Sequence, residues 1–347
     1  MRHKIAHIVR SLLLTSLLCV LMPACSKSPG EVPRPAPAVY YWRTVMRLDS
    51  TERDFLRQHG IKKMYVRYFD VVVKNGVLMP NATLHFSEPM PEGLEIVPTV
   101  FIMNNCLEAD TTQLAQLLVD RLVQMSETNH VQGVKEVQVD FDWTVRNREA
   151  YYALLERMRR LLTARGLGLS ATIRLHQLAM PAPPADYGAL MMYNTGNARD
   201  YTCENPILDY RDVEPYLKHL ADYDLPLCAA YPDFSWHLHF RQQQFQGTLY
   251  DVNLNDSTLF YRTAPGKYLV IGSSDLPSGG SDDALSAHIR AGDEVLLRQV
   301  PASVIVKVHD ELSRLRPEIN RQVIIYDLDS KNINNYQNSD YEKIYHP

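Results

Sequence analysis

Val137-Gln138-Val139-Asp140-Phe141-Asp142-Trp143-Thr144 is the stretch on which the reading of this chain turns. Successive side chains of a strand point to opposite faces. Val137, Val139 and Phe141 therefore share one face, and Gln138, Asp140 and Asp142 the other. A second run, Ser170-Ala171-Thr172-Ile173-Arg174-Leu175-His176, divides the same way, with Ala171, Ile173 and Leu175 on one side and Ser170, Thr172, Arg174 and His176 on the other. Each run asks for an apolar layer against one face and a polar interior against the other.

Working outward from these two, β-like runs occur at 40–44, 63–72, 95–103, 136–142, 169–176, 189–194, 227–231 and 322–328. Between several lie helical patterns, clearest at 111–130 and 148–165, with apolar residues three and four apart. Strand then helix, repeated about eight times over roughly 300 residues, predicts an α/β fold of the (β/α)8 TIM-barrel class, which needs about 250. The surplus falls at about 236–298, where short alternating runs and the turn signals Pro265-Gly266 and Ser278-Gly279-Gly280 predict a small β-rich insertion after strand 7. A helix at 303–315 and the eighth strand would follow. Branched apolar residues ordinarily fill a barrel interior, so polar residues stacked toward the C-terminal ends of strands four and five mark the site face. The alternative is an Asp140–Arg174 ion pair that only holds the barrel together.

Of the 347 residues, 46% are hydrophobic and 22% charged, enough for a full core and unlike a disordered chain. Lys and Arg number 36 against 40 Asp and Glu, so no basic field is available to a nucleic-acid backbone. Met1-Arg2-His3-Lys4 and the apolar run 8–22 read as a secretory signal over 1–24, too short for a membrane span. Leu21-Met22-Pro23-Ala24-Cys25-Ser26 resembles a bacterial lipoprotein cleavage box, which makes Cys25 the lipidated residue, 25–38 a Pro-rich tether and 39–347 the barrel domain. The expected location is the bacterial cell envelope, as an outer-membrane lipoprotein touching the membrane only through its lipid. Cys106, Cys203 and Cys228 are too few for a disulfide framework. The 332–335 loop and the 344–347 end follow the last strand; the end reads as frayed surface, with Tyr345-His346 closing over the barrel as the alternative.

Val139-Asp140-Phe141-Asp142-Trp143-Thr144 resembles the end of the Asp-x-x-Asp-x-Asp-x-Glu strand of the family-18 glycoside hydrolases, the chitinases, endo-N-acetylglucosaminidases and their relatives. Met191-Met192-Tyr193-Asn194 resembles that family's Met-x-Tyr-Asp on the sixth strand. The narrower similarity is to bacterial lipoproteins with a Gln-x-Asp-x-Asp strand. The resemblance implies a carbohydrate substrate or ligand. In the family the motif's final Glu gives its proton to the leaving oxygen, and the Asp two residues before it orients the substrate acetamido group. Here Asp140 and Asp142 are kept, Val137 replaces the first Asp and Thr144 replaces the proton donor. Asn194 replaces the sixth-strand Asp, and the Trp that floors the family's sugar site has no match in Ile325-Tyr326-Asp327-Leu328-Asp329.

A threonine hydroxyl is no general acid near neutral pH. Hydrolysis would need a different pair of carboxyls, and the candidates are Asp142 with Asp327, Asp329 or Asp70. Asp140 and Asp142 are thus the candidate catalytic residues. Arg67, Asn104, Arg174, His176 and Asn194 can hydrogen-bond sugar hydroxyls, Tyr193 and Trp236 can stack on a pyranose, and Asp327 and Asp329 complete the substrate-binding set. His237-x-His239 lacks a carboxylate at fixed spacing, so no metal and no cofactor is expected. No Gly-x-Ser-x-Gly elbow, Walker loop or dinucleotide fingerprint is present. Two functional classes remain: a lipid-anchored glycoside hydrolase with a replaced acid, and a silent barrel that binds glycans or a partner protein.

Overall fold

The computed structural model describes residues 36–108, 111–279 and 285–346. The expected signal, Cys25 and residues 25–35 of the expected tether lie outside the described residues. Eight parallel strands form the barrel: β1 (Ala36–Tyr41), β2 (Lys63–Lys74), β3 (Glu95–Ile102), β4 (Glu136–Asp140), β5 (Gly168–Ile173), β6 (Tyr187–Met191), β7 (Leu227–Pro232) and β8 (Gln322–Tyr326). Each pairs with its sequence neighbours, and β1 pairs with both β2 and β8, which closes the sheet. The first strand starts at Ala36, not at 40, so residues 36–38, expected in the tether, belong to the barrel wall.

The helices are α1 (Ser50–Gln58), α2 (Leu114–Thr128), α3 (Arg148–Thr163), α4 (Tyr210–Leu217), α5 (Ala302–Leu315) and α6 (Asn338–Tyr345). Helix α1 begins in a capping box: Asp49 accepts from the Glu52 backbone N–H and Glu52 accepts from that of Asp49, satisfying two otherwise orphaned donors. Two of the expected strand–helix repeats lack their helix. A short strand, Val77–Asn81, folds back antiparallel on the long end of β2, and a 3-10 turn, Leu175–Ala179, follows β5. The end expected as frayed surface is instead packed structure, since α6 buries Tyr341 and Tyr345, and the Tyr345 hydroxyl donates to Ala38 O at 3.1 Å.

The alternation read from the sequence holds on β4 and β5. Val137, Val139, Leu169, Ala171 and Ile173 are buried in the outer layer with apolar residues of α2 and α3. The inner face is polar along its whole length, not only at the site end. At the N-terminal end Lys63 Nζ binds Glu136 at 2.8 Å and Glu95 at 3.1 Å, Ser170 Oγ donates to Glu136 at 3.0 Å, and Gln322 donates to Tyr65 OH at 2.6 Å. Midway, Tyr40 OH donates to Gln138 at 2.7 Å. Because every group in these tiers has a partner, the polarity of Gln138 and Ser170 is structural.

Between β7 and α5, strands from Ser235 to Gln299 form a separate seven-stranded antiparallel sheet, the β-rich insertion. Its own small core is Leu249, Phe260, Val270, Ile289 and Val295. Among the described residues no helix is long and apolar enough to cross a membrane. Cys106, Cys203 and Cys228 are free thiols.

Candidate active site at the barrel mouth

Asp140 ends β4 on the inner face, almost wholly buried. Thr172 Oγ1 donates to it at 2.6 Å, and the Arg174 guanidinium lies 3.3 Å away. Burial pushes its carboxyl upward, against the pull of Arg174 and Thr172. Asp140 is thus an anchored group that fixes the guanidinium beneath the mouth.

Asp142 lies one step higher, with its side chain 49% exposed. Its Oδ1 is buried without a hydrogen-bond partner, and His176 Nε2 stands 3.7 Å off, too far for a good bond. His176 is not on the inner face of a strand as expected. β5 stops at Ile173 and the chain turns into the 3-10 segment, where Gln177 Nε2 and, more weakly, His176 bond the Trp143 carbonyl. Thr144 is exposed; its backbone N–H donates to Asn147 Oδ1 at 2.7 Å in the turn that leads into α3. That position serves local structure.

Arg67 and Asp70 both reach the interior because a bulge in β2 between Arg67 and Phe69 breaks the alternation. They bind each other through two bonds, of 2.7 and 2.5 Å, which takes Asp70 out of the catalytic candidates. Asp329 is likewise engaged, accepting from the Lys331 backbone at 2.9 Å with Arg43 at 3.8 Å. Asn104 is exposed on the turn after β3 and makes no hydrogen bond to the mouth residues. Asn194 is exposed with φ 57°, a left-handed conformation that asparagine tolerates.

Asp327, just past β8, is the carboxyl that stands apart. Asn332 Nδ2 donates to its Oδ1 at 2.7 Å. Removal from water, reinforced by the charge of Asp329, pushes it up to about 7. Next to it Asp233, at the end of β7, is fully buried and pushed far upward by the same desolvation; Tyr341 OH meets its Oδ2 at 3.1 Å.

Aromatic side chains cluster around the ends of β6, β7 and β8. Tyr193 stacks on Tyr326 with centroids 4.8 Å apart, Tyr326 meets Trp42 at 5.8 Å and Phe234 at 5.8 Å, and Phe234 meets Trp236 at 5.5 Å. Arg67 lies over Trp42 at 5.8 Å. Trp42, Phe234 and Tyr326 were not singled out in the sequence. Tyr193 is buried, its hydroxyl close to Arg174 but without a well-formed hydrogen bond. Asp142 Oδ1 is a buried acceptor at the end of β4 whose hydrogen-bonding capacity is left for a ligand. Among the described residues no three His, Cys, Asp or Glu side chains converge as metal ligands.

A chitinase from Chromobacterium violaceum superposes with a TM-score of 0.53 at 13% identity, over 89% of this chain and 98% of the other. The two share the (β/α)8 barrel fold. The spore cortex-lytic enzyme SleL of Bacillus megaterium matches with a TM-score of 0.53 at 12% identity over 86% of this chain and 72% of its own. SleL of Bacillus cereus matches at 0.51 and 14%, over 88% and 75%. Identities this low speak for the (β/α)8 barrel fold alone. No family model matches the chain, and no curated protein does.

Proposed function

We propose that this protein is a glycoside hydrolase of the bacterial cell envelope, exported by its first 24 residues, anchored through a lipid on Cys25 and related to lipoproteins of similar strand motif, acting on an extracellular glycan. The observation that carries the reading is Asp327, a carboxyl whose burial raises its affinity for a proton, at the end of the strand opposite the one that ends in Asp140-Phe141-Asp142. Strands β4 and β8 are four steps apart in either direction around the closed sheet. Asp327, pushed up to about 7, is about half protonated at neutral pH and more so below it, and supplies that proton to the leaving glycosidic oxygen. Asp142, with one oxygen free of partners, receives the proton of the attacking water. With Asp142 and Asp327 on strands opposite each other in the barrel, the proposed chemistry is the inverting one, in which water attacks the sugar face away from the acid. Asp140 and Arg174 position the β4–β5 wall, and Trp42, Tyr193, Tyr326 and Trp236 carry the apolar faces of the sugar rings.

A second reading, glycan binding without cleavage, is favoured by Thr144, which leaves the family's acid position without an acid. The test is incubation of the lipid-free protein and Asp142→Asn with chitin, peptidoglycan, and host-type and plant-type oligosaccharides, following product release and calorimetric binding. Release that the substitution abolishes supports the hydrolase. Binding with no release from any substrate establishes the second reading, and neither binding nor release overturns both.

A further inference from the structure

The insertion carries a second constellation of reactive side chains, separate from the barrel mouth. Strand Ser274–Ser278 pairs antiparallel with Leu285–Ile289, and the register sets Asp275 directly opposite His288. Ser273 precedes Asp275 by two residues, so the period of two puts both on the same side of the hairpin as His288. The side chains meet accordingly. His288 Nδ1 lies 2.9 Å from Asp275 Oδ1, and His288 Nε2 lies 3.2 Å from Ser273 Oγ. Ser273 Oγ is also 3.2 Å from the Ile289 carbonyl, so its one proton is shared between two acceptors.

The order of atoms is the one nucleophilic catalysis requires. A carboxylate on Nδ1 fixes the tautomer that leaves Nε2 as a base, and the base faces a hydroxyl. All three side chains are open to solvent, with His288 61% and Asp275 72% exposed. An open site of this kind holds no long acyl chain but admits a short one carried on a bulky alcohol. Arg290, exposed and two residues beyond His288, is the neighbouring cation able to meet a developing oxyanion.

We propose that Ser273, His288 and Asp275 form a second hydrolytic site, an esterase centre for short acyl groups on large alcohols. Ser273 Oγ bonds to the ester carbonyl carbon while its proton passes to His288 Nε2. Collapse breaks the bond between carbonyl carbon and alcohol oxygen, and the alcohol leaves with that proton. Water, deprotonated by His288, then cleaves the acyl-serine to release the acid and restore the hydroxyl. The barrel's own activity is not needed for this step.

The test is reaction of the whole purified protein with a fluorophosphonate, located by peptide mass spectrometry, alongside hydrolysis of 4-nitrophenyl acetate. The expected result is a single adduct on Ser273, absent in Ser273→Ala and formed about 100-fold more slowly in His288→Ala, with ester turnover falling in parallel. The three side chains lie on the surface, so these variants keep the fold, which circular dichroism verifies. No adduct on Ser273, or an adduct formed as fast in His288→Ala, overturns the proposal, because the serine would then be unactivated.

Discussion

Asp327→Asn separates the electrostatics of the mouth from its shape. The amide oxygen accepts the same bond from Asn332 that Asp327 Oδ1 accepts at 2.7 Å, but the side chain no longer titrates. In the folded protein Asp327 is pushed from 3.8 to about 7 by burial and by Asp329, so the folded state holds this proton more tightly than the unfolded chain. The contribution is therefore fully present below about pH 4 and is lost as pH rises toward 7, after which it is constant. A shift of about three units at about 1.4 kcal/mol each gives a loss of about 4 kcal/mol across that window. Urea unfolding followed by tryptophan fluorescence at pH 4, 6 and 8 measures it. Wild-type stability minus that of Asp327→Asn should fall by about 4 kcal/mol from pH 4 to pH 8, with most of the fall complete by pH 7. A difference that stays constant within about 1 kcal/mol would refute the assignment of Asp327 as a desolvated acid.

Three further outcomes follow from the same geometry. Arg174→Met strips Asp140 of its cation while Thr172 remains, and should cost about 3 kcal/mol in denaturant unfolding, the low end for a buried pair because Arg174 is 22% exposed; adding Asp140→Asn should recover part of that loss. Trp42→Ala removes one ring of the aromatic cluster and should weaken calorimetric glycan binding about 10-fold while leaving the circular dichroism spectrum unchanged. In Gly188→Ala the new methyl would sit 2.7 Å from Ile173 Cγ1 and 2.9 Å from Leu227 Cδ2, and the forced repacking should lower stability by about 1–3 kcal/mol, read as a drop in Tm.

The barrel was legible in the sequence because β4 and β5 obey a strict alternation between an apolar face and a polar one, and because α2 and α3 repeat at helical spacing. What the alternation could not show is where a strand stops. His176 belongs to the inner set by counting, but β5 ends at Ile173 and the 3-10 turn carries His176 to the rim. The bulge in β2 had the reverse effect, bringing Asp70 inward to spend its charge on Arg67. Trp42, Phe234 and Tyr326 escaped notice because an aromatic on a barrel strand reads the same whether it packs beneath a helix or clusters with others at the strand ends. Asp142 and Asp327 were both named, yet nothing local distinguishes Asp327 from Asp329. Their difference comes from burial and from which backbone or side chain each one meets after the fold closes. The hairpin serine and histidine were invisible for a similar reason, since residues 273 and 288 become neighbours only through strand register.

The most direct measurement is proton NMR of the first product released from an oligosaccharide that the protein cleaves, run with wild type and with Asp327→Asn. Protonation by Asp327 with water activated by Asp142 predicts a product of inverted anomeric configuration, and its release should vanish in Asp327→Asn. A retained anomer, or release that persists without the Asp327 carboxyl, would contradict the account.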